Sequence, residues 1–283
     1  MALGPQLPQH SHSSDRPYAE VIGDPIAHSK SPLIHRFWLD ALGIDADYRA
    51  TRVAPDELAA FVERRRADPA WRGCNITVPH KVAALDLVED RGDVRAGIGA
   101  INTAFRDEDG ALVGTNTDAA GFYAPLAGLD LGGRPVTLVG SGGAARAVLF
   151  ALARMGVGPV TLLARNPLKG AALLAAFGTK GQALPLAAGT PPAALLVNAT
   201  TLGMTGQPPL DLDLAPLDDD AVVYDIVYAP LETPLLASAR ARDLDTIDGL
   251  EMLVGQAAVA FELFFGAAPP RERDDELRDL LIA

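Results

Sequence analysis

The sequence predicts an α/β protein of two domains, the first carrying a mainly parallel sheet. Three observations predict it. At 283 residues the chain exceeds the usual size of a single domain. Strand and helix patterns alternate from Tyr18 onward. Residues 135–164 then read as strand, glycine turn, helix and strand, the order of a βαβ unit whose parallel sheet must lie between helices.

In chain order, Tyr18 to Gly23 reads as a first strand. The polar loop Asp24 to Pro32 follows and leads to a helix that stops near Gly43, with Ser31 suited to the N-cap and Pro32 to the first helical position. Ile34, Phe37, Trp38 and Ala41 give that helix its buried stripe. Asp47 to Val53 reads as a strand and Pro55 to Arg66 as a helix. In the next strand Cys74, Ile76 and Val78 alternate with Asn75 and Thr77, placing the two polar side chains on one face. Pro79 cannot donate to a ladder and should end it, and the spacing of Val82, Leu85 and Val88 predicts a helix over 80–89. Lys81 then falls in a helical first turn, opposed to the macrodipole, a setting that suits a proton-transferring amine. A solvated lysine beside a wet strand face is the plainer reading.

A second organisation begins near Asp118, where a strand pattern gives way to a helical one; an N-cap aspartate and an anionic partner for Lys81 both fit that position. Pro135 to Gly140 is an apolar strand, Ser141 to Gly143 a glycine turn, Ala144 to Arg154 a helix stopped by Gly156, and Pro159 to Ala164 the next strand. Ala194 to Asn198 and Ala221 to Ile226 supply further buried strands.

Composition bounds the function. With 49% hydrophobic and 21% charged residues the chain can bury a substantial core. A formal charge of -12 disfavours a nucleic-acid backbone or an anionic membrane as partner. The single cysteine, Cys74, excludes an intramolecular disulfide, fits a reducing cytoplasm and reads as a buried structural thiol. The five histidines are scattered, and no metal site is expected. Residues 1–17 read as a disordered leader without the pattern of a signal peptide. Gly181 to Leu210 is uncharged, but prolines interrupt it and it is not a membrane span.

Gly140, Ser141, Gly142, Gly143 and Ala144, set between a strand and a helix, form the context of a dinucleotide fingerprint: the backbone can approach a pyrophosphate and the helix N-terminus supplies N–H donors. The second strand ends Ala164-Arg165-Asn166-Pro167-Leu168-Lys169, with no acid to hold ribose hydroxyls and two cations for a 2′-phosphate, so NADP is expected over NAD. Ser29 and Ser31 precede a helix N-terminus and can receive a carboxylate, although capping explains Ser31 equally well. Gln256 interrupts an apolar stripe that includes Met252, Val259 and Leu263; its buried amide needs a partner, either a polyhydroxy ligand or a backbone carbonyl.

Together these residues resemble the shikimate dehydrogenase family. The resemblance rests on Gly23 to Pro32, Asn75 to Lys81, Gly99 to Thr103, Asn116 to Gly121, Asn198 to Met204 and Asp248 to Gln256, which fall in order along all but the leader. It implies NADPH-dependent reduction of 3-dehydroshikimate to shikimate, a step of chorismate and aromatic amino-acid biosynthesis. It implies two α/β domains: residues 18–117 with 249–283 for substrate, and a Rossmann-like unit over 118–248 for NADP. By the same resemblance Lys81 transfers the proton with Asp118 as partner, Ser29 and Ser31 hold the carboxylate, and Thr77, Asn102, Asp118 and Gln256 hold ring hydroxyls while Tyr228 closes the pocket. Residues 140–144 and 164–169 match the cofactor positions, Ile226 and Gly249 flank the nicotinamide, and Asp93 matches an acidic position sometimes assigned to the cofactor. Arg36 and Thr201 depart from the commoner asparagine and serine. The partners implied are small molecules, with no nucleic acid or membrane, and the state a monomer or homodimer. A quinate/shikimate or aminoshikimate dehydrogenase shares the fold and chemistry; a noncatalytic regulator on the same scaffold is an alternative of another class.

Overall fold

The computed structural model describes residues 16–92 and 94–283, so most of the expected leader and Asp93 lie outside the described residues. The first unit comprises β1 (Tyr18–Gly23), α1 (Ser31–Leu42), β2 (Asp47–Arg52), α2 (Leu58–Arg66), β3 (Trp71–Ile76), α3 (Val94–Gly97), β4 (Thr103–Arg106) and β5 (Leu112–Thr115). Its five-stranded sheet has the order β2-β1-β3-β4-β5. The parallel character expected of it holds for β2, β1 and β3; β4 and β5 run antiparallel. For the β4–β5 pair the physical reason is loop length: Asp107 to Ala111 is a tight turn, knit by the Asp107 carboxylate accepting from the Asp109 and Ala111 amides, and cannot hold a crossover.

β1 shows why the sheet is covered on both faces. Tyr18 and Ile22 enter one core with Trp71, Ile76 and Phe61, whereas Ala19 and Val21 enter the other with Ile34, Trp38 and Phe261. The stripe of α1 is buried at Ile34 and Trp38; Phe37 and Ala41 are only half-buried, and His35 and Leu39 complete the face instead.

The chain continues through α4 (Asp118–Tyr123), β6 (Val136–Val139), α5 (Gly143–Met155), β7 (Val160–Ala164), α6 (Pro167–Ala176), β8 (Gly181–Pro185), β9 (Leu195–Asn198), β10 (Val222–Asp225), α7 (Pro234–Arg240) and β11 (Asp245–Ile247). These strands form a six-stranded sheet, ordered β11-β10-β9-β6-β7-β8, in which every pairing is parallel. Read from β8, the order is third, second, first, fourth, fifth and sixth strand, the doubly wound arrangement whose ligands sit at the carboxyl ends beside the reversal, here between β6 and β9. Alternation again splits the cores: Leu138, Leu162, Val197 and Tyr224 face one, Val139, Leu163, Leu196 and Val223 the other.

α8 (Gly249–Phe265) and α9 (Asp274–Ile282) return to the first unit. Leu250, Val254, Phe261, Leu277 and Leu281 pack with α1 and β1, while Met252 enters a core of the second sheet. Ala147 of α5 reciprocates by entering a core of the first. α4 crosses α8 so closely that a Cβ at Gly121 would lie 2.6 Å from Met252 O and from Gln256 N. No described helix is long and apolar enough to cross a membrane.

Candidate active site

Lys81 sits where the first unit meets the glycine turn of the second. β3 ends at Ile76, so Thr77 and Val78 lie beyond the strand and Val78 is exposed rather than sharing a face with Cys74 and Ile76. The helix expected over 80–89 does not form; turns lead into a short 3₁₀ segment, Ala83–Asp86. The cause is tertiary: the Lys81 carbonyl accepts from the Ile101 amide at 2.7 Å instead of closing a helical turn. Lys81 therefore feels no helix macrodipole of its own segment, and the setting first expected for it is corrected. Its ammonium instead donates to Asp118 Oδ2 at 2.5 Å, with both side chains largely buried.

Asp118 opens α4 but does not cap it; Thr117 occupies the cap position and the aspartate's own N–H donates to Asn116 Oδ1 at 3.0 Å. Its second oxygen accepts from Asn102 Nδ2 at 2.7 Å. Asn102 is fixed in that orientation because its Oδ1 accepts the Thr117 backbone N–H at 2.7 Å, a donor with no other option. The network runs on through Thr103, whose hydroxyl donates to Asn102 Oδ1 (3.0 Å) and accepts from Asn75 Nδ2 (3.0 Å). Asn75 Oδ1 accepts from the fully buried Tyr48 hydroxyl at 2.5 Å. Gln256 reaches the same cluster from α8: its Oε1 lies 3.4 Å from the Thr117 hydroxyl, and its Nε2 donates to the Leu253 carbonyl at 2.8 Å. Of the two partners weighed for this amide the backbone carbonyl is present, and the amide oxygen meets the Thr117 hydroxyl of the polar cluster.

The carboxylate candidates adjoin this cluster through the backbone. Asp24 N–H donates to Val78 O (3.1 Å), and a Cβ at Gly23 would lie 2.5 Å from Thr77 Cγ2, so the loop after β1 is sewn to the Thr77 turn. Ser31 does not cap α1. Lys30 does, its carbonyl accepting from Ile34 N–H, while Ser31 is the first helical residue and its N–H donates to Ser29 Oγ at 3.3 Å. Among the described residues no hydrogen bond joins Ser29 or Ser31 to the Lys81 cluster. Tyr228, after β10, packs against the first unit's core beside Leu253 and Leu231, and burial raises its phenol above the usual range.

The nucleotide candidates line the carboxyl ends of β6, β7 and β10. Gly140 has φ +113°, and a Cβ there would lie 2.9 Å from Ala199 O. Gly142 faces open space, and Gly143 has only Lys81 Cδ near its missing Cβ, at 3.8 Å. No side chain caps α5, so its first-turn N–H groups and the bare glycine backbone fit a pyrophosphate. Ser141 and Ala144 are half-buried there. Beyond the buried Ala164, Arg165 and Lys169 are exposed, and Asn166 Oδ1 is occupied in capping α6 by the Lys169 N–H. The end of β7 thus presents cations and no acid, which fits a 2′-phosphate. Ile226 and Gly249 touch: a Cβ at Gly249 would lie 2.4 Å from Ile226 O.

Sequence reasoning missed Thr117, Thr103 and Tyr48. A signal existed for the threonines, since the dipeptide Asn-Thr occurs at 102–103 and again at 116–117, on strand ends that the sheet brings together.

The chain matches the model of the shikimate dehydrogenase substrate binding domain over residues 21–104 and that of the shikimate 5′-dehydrogenase C-terminal domain over 249–274. It is 67% identical over 273 residues to shikimate dehydrogenase (NADP(+)) of Sphingopyxis alaskensis, covering 96% of this chain and 100% of that one. The crystal structure of shikimate 5-dehydrogenase from Thermus thermophilus in complex with NADP(H) and shikimate superposes with a TM-score of 0.82 at 36% identity, covering 94% of this chain and 99% of that one. Quinate dehydrogenase from Corynebacterium glutamicum in complex with NAD superposes with a TM-score of 0.81 at 30% identity, covering 94% and 99%.

Proposed function

We propose that this chain, which belongs to the shikimate dehydrogenase family, catalyses the reversible NADPH-dependent reduction of 3-dehydroshikimate to shikimate, a step of chorismate and aromatic amino-acid biosynthesis. The observation that carries this reading is the Lys81–Asp118 pair, closed at 2.5 Å and set beside the glycine turn that fits a dinucleotide. Bound NADPH supplies the hydride.

The chain's own residues supply the proton and the orientation. Lys81 protonates the oxygen as negative charge develops on it, an interaction that strengthens toward the transition state and therefore acts on turnover. Asp118 holds the ammonium in place and accepts from a substrate hydroxyl; Asn102, whose amide direction is fixed by Thr117, holds Asp118 in turn. Thr77 and Gln256 complete the hydroxyl contacts, Ser29 and Ser31 take the carboxylate, and Tyr228 covers the pocket and excludes water. Gly140 to Ala144 hold the pyrophosphate, Ala164, Arg165 and Lys169 the 2′-phosphate end, and Ile226 with Gly249 the nicotinamide side. Residues 18–117 with 249–283 form the substrate domain and 118–248 the NADP domain, a division supported by the two sheets and by the return of α8 to the first. A cytoplasmic enzyme accords with the free and buried Cys74, whose thiol burial raises well above its usual range; its state is a monomer or homodimer.

The test follows cofactor absorbance while the purified protein oxidises shikimate or quinate with NADP or NAD, in all four combinations. Shikimate with NADP should turn over fastest. The likeness to quinate dehydrogenase favours a second reading, a quinate-using enzyme; dominant quinate turnover with NAD would replace the first reading with it. Ligand-induced stabilisation without turnover would instead point to a regulator.

A further inference from the structure

Asp225, the last residue of β10, is fully buried, and its carboxylate meets only neutral donors among the described residues. Oδ1 accepts from Asn198 Nδ2 at 2.9 Å and from Val227 N–H at 3.0 Å; Oδ2 accepts from the Thr233 hydroxyl at 2.7 Å. Thr233 Oγ1 itself accepts from Leu236 N–H at 3.3 Å, so its one hydrogen is free to point at Asp225. All three donors are used when the carboxylate is ionised. Burial pushes the carboxyl above the usual range and the three donors pull it back, and no cation is among its hydrogen-bond partners in the described residues. Asp248, the carboxylate immediately before Gly249, differs in being answered by Arg278.

The position of this anion is informative. Asn198 Oδ1 also accepts from Thr200 N–H (3.0 Å) and from the Thr200 hydroxyl (2.7 Å), and Thr200 Cγ2 lies 2.9 Å from where a Cβ of Gly140 would stand. Asp225 is therefore built into the loops that leave β9 and β10 beside the glycine turn. In a doubly wound sheet the glycine turn after β6 and the cations after β7 mark the adenosine half of a dinucleotide, which leaves the carboxyl ends of β9 and β10 for the other half. That half ends in a ring whose oxidised form carries one more positive charge than its reduced form.

Resting on the NADP reading above, we propose that Asp225 is a buried anion that binds the oxidised nicotinamide in preference to the reduced one and so assists hydride departure toward the ketone. In that step the hydride leaves with its electron pair to the carbonyl carbon, the carbonyl π pair moves to oxygen, and oxygen takes its proton from Lys81. The positive charge that the oxidised ring would carry is the one a buried Asp225 anion would favour.

The test measures Kd for NADP+ by calorimetry and for NADPH by fluorescence, on the wild type and on D225N. The amide keeps the shape, its oxygen accepting from Asn198 and Val227 and its nitrogen donating to Thr233. The expected result is a roughly tenfold weaker NADP+ with NADPH changed by less than about twofold, the size of one charge pair across a few residues at an effective interior dielectric; tenfold corresponds to a shift of about 30 mV in the bound two-electron couple. Equal weakening of both forms, as loss of loop support alone would give, overturns the proposal, and so does no change in either. Wild-type protein that binds neither form would instead overturn the NADP reading. Should D225N not fold, T233V removes a neutral donor and leaves the anion. Its preference for NADP+ over NADPH must stay within about twofold of wild type, and loss of that preference overturns the proposal.

Discussion

Gly121→Ala tests how the two units are held in register. α4 and α8 cross at Gly121 and Gly255, and the added Cβ would lie 2.6 Å from Met252 O and Gln256 N and 3.0 Å from Gln256 Cβ. Ordinary contact begins near 3.4 Å, so the helices must part by 3.4 − 2.6 = 0.8 Å. The obstructing atoms are mostly backbone, and α8 is fixed on its far side by Leu250, Val254 and Phe261 against the first sheet. Overpacking of this kind costs about 1–3 kcal/mol, offset by up to ~1 kcal/mol of helix propensity gained on replacing glycine. A net loss of about 1–2 kcal/mol should lower Tm by a few degrees. The kinetic effect should be larger. α4 opens with Asp118 and α8 carries Gln256, so separating the helices draws Gln256 away from Thr117, and displacements near 1 Å cost up to ~100-fold in rate. Thermal melts and steady-state shikimate oxidation should show kcat/KM down about 10- to 100-fold, with NADP+ affinity within about twofold because the turn after β6 is untouched. Gly128→Ala, where nothing lies within 4 Å, is the control. Wild-type Tm and turnover in the Gly121 variant would refute the packing argument.

Lys81→Ala should lower kcat by about 10²- to 10⁴-fold, the range for general acid–base catalysis, while KM for shikimate changes far less; steady-state kinetics at saturating NADP decide it, and near-normal turnover removes Lys81 from the role. Arg165→Ala with Lys169→Ala should weaken NADPH by roughly 10- to 100-fold and leave NADH binding nearly unchanged, since only the former presents a 2′-phosphate; fluorescence titrations with both cofactors separate the cases. His35 is fully buried with both ring nitrogens unpartnered, and desolvation lowers its pKa from the usual 6.5 to about 3. Between those values the unfolded chain holds a proton that the native chain does not, so stability is full above the unfolded value and falls on acidification. From pH 7 to pH 5 this group should remove about 2 kcal/mol, and H35F, which keeps a ring to stack on Tyr48, should lack that increment in urea melts at the two pH values. Equal acid sensitivity of the two proteins would count against it.

What the sequence made legible was local. The glycine turn could be read because its constraint is short-range: one residue at φ +113° between an apolar strand and an uncapped helix. The apolar runs over 135–140, 194–198 and 221–226 marked buried strands for the same reason. The helix expected after Pro79 failed where a distant group intervened, the Ile101 amide taking the Lys81 carbonyl, and no periodicity in Val82, Leu85 and Val88 carries that information. Lys81 and Asp118 are 37 residues apart, and only the resemblance joined them. Likewise the N-cap position of α1 falls at Lys30, with no side-chain cap, while the Ser31 N–H donates to Ser29 Oγ, a choice between neighbours that composition cannot rank.

The placement of the Lys81 cluster is finally a consequence of strand register. Asn75 stands opposite Thr103, and Thr103 opposite Thr115, across β3, β4 and β5. The Asn102 backbone then ties the strand ends together, its carbonyl accepting from Ile76 N–H at 2.7 Å and its N–H donating to Thr115 O at 3.1 Å. Because side chains alternate along a strand, a slip of one residue in β4 would turn Asn102 and Thr103 to opposite faces and leave Asp118 without its amide donor. Such a slip is opposed by the core: it would also move Ala104 out of the core it shares with Trp71 and Ile76 and bring polar atoms to its place. The apolar residues that fix the sheet therefore also fix the amide that orients the aspartate, and the aspartate holds the lysine.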